Sequence, residues 1–394
     1  MGEVFRAVAV GESGFEKPVV IKRILPAYLG RDDLAELFIA EAKLMTRLAH
    51  PNIVEVLDFG RGESGDYFLV LELVDGVDVA RLHRGFAARG ERFPVALALY
   101  IAAQVLRGLH HAHGKSAGEG GWLVHRDVSP GNVLLSTAGE VKVADFGVAL
   151  MARPAAEERS PRAHLLVGKP QYMAPEQYDG ADVDPRADLF SVGVMLFFLL
   201  TDALPFAGAT LAEQQDAAHR GDFGRAREDR PDVSPEIDAL LRRAMAPVPG
   251  DRFSDARAMA QAIEGLQGRS PPIATGDDVA AAVEAAQPAP GRRVIALSGS
   301  PQIVEEDSSF TEQELTRSGR AGGVGSFTIR VAQSEAPPLD VAPPVDSAAT
   351  PVELLPSAAR EPHLDPLLPA PLQEDSPEPP VVPLDRRSPG PRAP

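Results

Sequence analysis

His125-Arg126-Asp127-Val128-Ser129-Pro130-Gly131-Asn132 runs directly into the apolar stretch Val133-Leu134-Leu135-Ser136, and a second stretch, Val141 to Ala144, ends at Asp145-Phe146-Gly147. Both apolar stretches have the length and branched residues of strands. Asp127, Asn132 and Asp145 therefore sit in loops at strand ends. Asp127 lies five residues before Asn132, so one loop can present a carboxylate and a carboxamide together. Upstream, Val19-Val20-Ile21-Lys22 puts an ammonium on a strand; downstream, Ala174-Pro175-Glu176 closes a loop. Each motif alone is weak. The set, in this order and context, is not readily produced by chance.

Working outward, Val4 to Val10 and Val19 to Ile24 read as two strands joined by the turn GESGFEK. Asp32 to Leu48 follows with Leu34, Leu37, Phe38, Leu44, Met45 and Leu48 on one helical face. Glu41 lies on that apolar stripe, where a carboxylate needs a cation, and Lys22 on the preceding strand is the candidate. Two more strands, IVEVLDFG and YFLVLELV, precede a helical region that opens at Pro94. Its segments are PVALALYIAAQVLRGLHHAH, ADLFSVGVMLFFLL, EIDALLRRAMA and SDARAMAQAIEGL. The expected class is α+β: a small β-rich lobe at about 1–74 and a larger helical lobe at about 75–266, with a ligand cleft between them.

Beyond residue 266 the composition changes. Residues 267–394 hold 22 of the 37 prolines and carry 18 acidic against 10 basic side chains, which predicts an acidic, Pro/Ala/Ser-rich disordered tail. Within it SFTIRVAQ (326–333) could add a strand to a partner, although its composition favours transient disorder. The formal charge of −17 argues against nucleic acid and anionic membranes as partners. With no cysteine, disulfides and thiolate metal sites are excluded. The most apolar run, Val192 to Leu200, is too short to span a bilayer, and MGEVFRAVAV lacks a secretory pattern, so a cytoplasmic protein is expected.

The ordered motifs of residues 1–266 resemble those of the eukaryotic-like (Hanks-type) Ser/Thr protein kinases of bacteria. The resemblance implies a two-lobed kinase-like fold that transfers the γ-phosphoryl group of Mg-ATP to Ser or Thr hydroxyls of proteins. It implies that Lys22 contacts the α/β-phosphates and pairs with Glu41, that Asp127 accepts the hydroxyl proton, and that Asn132 and Asp145 hold Mg²⁺. Glu72 and Leu73 would form the hinge that meets adenine, with Val4, Val20 and Leu134 lining the same site and Leu71 guarding the deeper pocket. Asp188 would anchor the catalytic loop from below, although as a bare sequence feature it reads equally as an N-cap. Arg252 is expected to pair with Glu176, and His50 to be a packed turn residue.

Three departures from the family pattern bear on function. Only the last Gly and the Val of the glycine-rich loop are present, as Gly2 and Val4, so an open sheet edge and a start placed too late are expected. The catalytic loop carries Ser129 where a lysine is usual, and Lys169 follows Gly168 where a threonine is usual. These two changes are read as compensating, with Lys169 supplying the cation near Asp127. Pro130, and the lack of an arginine after Asp127, favour Ser/Thr over Tyr as acceptor. Ser160 is the hydroxyl residue between Gly147 and Tyr172, and a phosphate there would pair with Arg126 and activate. Transient self-association for trans-autophosphorylation is expected. The alternative is a pseudokinase scaffold that binds nucleotide; a small-molecule phosphotransferase is disfavoured by the full segment ending in Ala174-Pro175-Glu176.

Overall fold

In the computed structural model of the chain, the two N-terminal alternating runs become strands β1 (Gly2–Val10) and β2 (Glu16–Ile24), antiparallel, with Val4 opposite Lys22. The structure describes residues 2–11, 15–24, 42, 45–61, 67–115, 122–146, 168–179, 183–206, 208, 210–267 and 274–286, and strand segments at 292–295, 302–305, 310–311 and 328–332. All of them fall within one unit, residues 1–337; the second unit, 338–394, lies outside the described residues. Glu41, Ser160 and most of the helix expected at 32–48 also lie outside them.

β3 (Val56–Arg61) and β4 (Tyr67–Glu72) extend the sheet, with β4 beside β2. Because side chains alternate across a strand, the two faces bury different sets. Val19, Ile21, Phe68 and Val70 pack with Ala7 on one face, while Val20, Leu69 and Leu71 join the main core. Lys22 is two residues from Val20 and so shares its face, toward the main core. Next come β5 (Gly76–Asp78), β6 (Val133–Ser136) and β7 (Val141–Val143), a small antiparallel sheet that carries the loops bearing Asn132 and Asp145.

The helical part begins with α1 (Val79–Ala88), capped by the Asp78 carboxylate accepting from the Arg81 N–H, and α2 (Val95–His113). It continues with α3 (Pro175–Tyr178), α4 (Arg186–Thr201), α5 (Leu211–Arg220), α6 (Ala226–Asp229), α7 (Pro235–Ala244) and α8 (Ala256–Gln267). Thirteen of the sixteen residues of α4 are buried, which is why it is apolar all round. At Gly193 an added Cβ would lie 2.8 Å from Met245 Cγ, so only glycine allows α4 and α7 this close. Among the described residues no helix is long and apolar enough to cross a membrane.

Two findings depart from a uniformly disordered stretch after residue 266. Residues Gly276–Ala286 form helix α9, which packs on α1, β5 and β6 and buries Val279 and Val283 completely. Its N-terminus rests on the β6–β7 turn, where Gly139, at φ +84°, leaves room for the Gly276 carbonyl. In addition, β8 (Arg292–Ile295) pairs with β9 (Gln302–Glu305), and β10 (Phe310–Thr311) pairs with β11 (Thr328–Ala332). β11 lies antiparallel on β1, with Ala7 opposite Val331 and Val10 opposite Thr328, giving the sheet order β10-β11-β1-β2-β4-β3. The edge of β1 expected to be open is thus paired within the same chain. An unpaired strand edge recruits an extended segment, and Thr328, Ile329 and Val331 are β-branched.

Candidate active site

The loop 125–132 is held from beneath by one buried carboxylate. Asp188, fully buried in the first turn of α4, accepts from the backbone N–H of His125 and of Arg126 (both 2.8 Å) and from His113 Nε2 (2.7 Å). Burial alone would push this carboxyl up. The hydrogen bond from His113, the charge of His113 and the His125 N–H outweigh it and hold Asp188 below the usual aspartate range. Of the two roles that the sequence left open, the anchor is the one seen.

Arg126 has φ +64° and Asp145 φ +61°. Non-glycine residues rarely adopt that region, and they persist there when the surroundings over-determine them. Here the determinants are visible. His125 Nδ1 accepts from the Asp127 N–H (3.2 Å), and its Nε2 donates to the Ala144 carbonyl (3.0 Å), which fixes the tautomer. The His125 ring packs 4.5 Å from the buried Phe146 ring. Ala144 N–H donates to the Asn132 carbonyl (2.8 Å), so the two loops lie side by side.

Asp127 is the point on which the loops converge. Its Oδ2 accepts from Asn132 Nδ2 (2.8 Å), which also donates to the Asp127 carbonyl (2.8 Å), and its Oδ1 accepts from the Lys169 backbone N–H (2.9 Å). The Lys169 ammonium donates to Ser129 Oγ (2.7 Å) and stands 3.4 Å from Asn132 Oδ1. Lys22 Nζ meets Asp145 Oδ1 at 2.7 Å, and the Asp145 side chain is 4% exposed. The loops thus bring Asp127, Asn132 and Lys169 into direct contact, with the Lys22–Asp145 pair following Ala144, whose N–H bonds the Asn132 carbonyl. The expected partner Glu41 and the proposed phosphosite Ser160 lie outside the described residues; Arg126 is placed by its N–H on Asp188.

Of the residues expected to line an adenine site, Val20, Leu71 and Leu134 are buried in the main core, and Val4 and Leu73 pack partly buried against it. Glu72 is committed elsewhere. Its N–H donates to the Glu55 carbonyl (3.0 Å), and its Oε1 accepts from Glu55 N–H (2.8 Å) and Lys142 Nζ (2.9 Å). Any hinge contact from Glu72 must therefore use another group.

Among the described residues no cluster of three or more His, Asp or Glu side chains is arranged to hold a metal. Asn132 and Asp145 offer two oxygen donors, a set that suits Mg²⁺, which retains waters and takes further oxygens from a phosphate ligand. Arg252 and Glu176 form the expected pair, bidentate at 2.7 and 2.8 Å with the guanidinium fully buried. His50 Nδ1 accepts from Asn52 N–H (3.1 Å), the turn role expected of it. Sequence reading missed Gln177, whose amide donates to the Arg126 carbonyl (3.0 Å), and the Lys142–Glu72 pair. No spacing in the sequence distinguishes these from ordinary surface residues.

The family model for the protein kinase domain matches residues 1–263. The chain is 41% identical over 268 residues to tyrosine-protein kinase MasK of Myxococcus xanthus, covering 67% of this chain and 41% of that protein. It is 35% identical over 252 residues to the serine/threonine-protein kinase PknL of Mycobacterium tuberculosis, covering 64% and 59%. Among solved structures, the Mycobacterium tuberculosis PknI kinase domain superposes with a TM-score of 0.50 at 30% identity, covering 68% of this chain and 91% of that one. The chain spans about half the length of the curated relatives it matches.

Proposed function

Because the chain belongs to the protein kinase family, we propose that it is a protein serine/threonine kinase that transfers the γ-phosphoryl group of ATP to hydroxyls of other proteins and of its own copies. The observation that carries this reading is the Asp127 carboxylate, fixed by Asn132 Nδ2 and the Lys169 N–H beside the Lys22–Asp145 pair. Transfer of a phosphoryl group asks little covalent chemistry of a protein and much positioning.

In the proposed reaction, the acceptor hydroxyl oxygen forms a bond to the γ-phosphorus as the bridging Pγ–O bond breaks. The bond's electron pair leaves with ADP, and the hydroxyl proton passes to the Asp127 carboxylate. Asn132 holds Asp127 in place for this, and Lys22 supplies positive charge to the polyphosphate. Mg²⁺ held by Asn132 and Asp145 would neutralise phosphate charge when bound. The adenine would lie against Val4, Val20, Leu71, Leu73 and Leu134. A reaction that draws on ATP belongs in the cytoplasm. Glu41 remains the proposed partner of Lys22, and phosphorylation of Ser160, read by Arg126, the proposed activating event.

Transfer from γ-labelled ATP, followed by phospho-amino-acid analysis, tests the reading. Phosphoserine or phosphothreonine is expected, with Asp127→Asn reducing the rate at least about 100-fold. Trans-autophosphorylation requires a rate that rises with the square of enzyme concentration. Label found only on tyrosine, or an Asp127→Asn variant as fast as wild type, would overturn the assignment.

A further inference from the structure

Lys169 is half-buried, and both partners of its ammonium, Ser129 Oγ and Asn132 Oδ1, are neutral. Among the described residues no carboxylate lies within ion-pair distance of it. An ammonium withdrawn from water without a counter-charge is unfavourable unless an anion joins it. Its place is set by the backbone, not by chance rotamers. Gly168 has φ +113°, and a Cβ there would lie 2.8 Å from the Arg126 carbonyl, so only glycine brings the segment this close. The next N–H then bonds Asp127, Lys169 caps the turn Pro170–Tyr172, and its Nζ lies over Gly131, where even a Cβ would be 3.4 Å away. The ammonium thus lies between Ser129 Oγ and Asn132 Oδ1, in the loop that carries Asp127.

We infer that Lys169 is a catalytic residue whose ammonium binds the transferring γ-phosphoryl group, delivered from the segment after Gly168 instead of from the catalytic loop. Ser129 is the small, buried hydroxyl that makes room for it and fixes its direction. This rests on the kinase reading above. As the hydroxyl oxygen bonds to phosphorus and ADP departs with the bridging electron pair, the ammonium stays charged and compensates the equatorial oxygens; the proton goes to Asp127. Contact with the γ-phosphoryl alone also means that Lys169 distinguishes triphosphate from diphosphate.

The test compares Lys169→Met, the exchange variant Ser129→Lys with Lys169→Ser, and Asp127→Asn. Lys169→Met should lower kcat about 100-fold. In metal-free binding titrations it should lower the preference for a non-hydrolysable ATP analogue over ADP about tenfold, with ADP affinity unchanged. The exchange variant should recover most of the lost kcat, since the ammonium then rises from the catalytic loop into the same space. Wild-type kcat in Lys169→Met, with Asp127→Asn inactive, overturns the inference and leaves the kinase reading standing; an active Asp127→Asn removes the reading itself. A slow Lys169→Met enzyme with an intact triphosphate preference also overturns it, since the lysine would then only tie two loops together. Should Lys169→Met melt below wild type, the exchange variant decides: activity no better than that of Lys169→Met counts against the assignment.

Discussion

Asp188 joins two backbone N–H groups and one imidazole without touching solvent, and Arg126, held at φ +64°, depends on it. Asn in its place keeps the shape and loses the charge. Asp188→Asn should therefore destabilise the fold by about 3 kcal/mol at pH 7, read by urea denaturation, and slow transfer because Asp127 loses its support. The pH dependence has a defined sign. The folded carboxyl lies below the ordinary aspartate range, so the native state binds its proton less readily than the unfolded chain. Its stabilisation is complete above that range and disappears as pH falls through the lower folded value. The gap between wild type and Asp188→Asn should narrow below about pH 4. Glu176 supports a second buried charge: Glu176→Ala strands the Arg252 guanidinium and should cost about 3–5 kcal/mol, whereas Glu176→Leu with Arg252→Met should cost less than the sum of the two single changes. At this scale the sequence was legible. Asp127, Asn132, Asp145 and Lys22 converge because short loops at strand ends leave few places for them. The Ser129–Lys169 contact was legible from two departures that make sense only together.

Elements were readable where periodicity persists. The apolar run around Val192 became α4, and PVALALYIAAQVLRGLHHAH became α2, because a long pattern of burial leaves its mark on composition. α9 was not read, for the opposite reason: its sequence, GDDVAAAVEAA, offers two valines to the core and sits within a stretch whose prolines dominate any average. Those valines nevertheless sit fully buried against α1 and β6. Val279→Ala with Val283→Ala should lower stability by about 4 kcal/mol, roughly 2 for each truncation. At this size that corresponds to a melting temperature lower by about 8–16 °C by calorimetry. Gly139→Ala reports on the same junction from the other side, since the new Cβ would meet the Gly276 carbonyl at 2.2 Å from a backbone at φ +84°. It should destabilise by more than the ~1–2 kcal/mol of left-handed strain alone, and removal of residues 268–394 should relieve the excess but not the strain. A Gly139→Ala protein destabilised by the strain alone, with no excess for the removal of residues 268–394 to relieve, would mean that α9 does not rest on the β6–β7 turn.

Across the whole molecule, the sheet that carries Lys22 is closed by residues more than three hundred positions away in sequence: β11 lies on β1, and β1 on β2. Pairing at this separation is invisible to local patterns. SFTIRVAQ reads as a strand without an address, because what decides its fate is the row of N–H and C=O groups along β1 and not its own composition. The consequence is measurable by hydrogen exchange on the full chain and on one ending at residue 287. Along β1 alternate amides of residues 7–10 point toward β11, and these should exchange at least about tenfold faster once β11 is removed. The amides that join β2 to β4, between Val19 and Arg23, should keep their protection, since their partners are unchanged. Loss of protection confined to the β11 side would show the tail to be an integral strand of the lobe. Equal exchange in the two chains would show that β1 keeps a free edge in solution. A loss that spreads to β2 would mean instead that β11 holds the whole sheet, in which case the shorter chain should also bind ATP more weakly, because Lys22 is carried on β2.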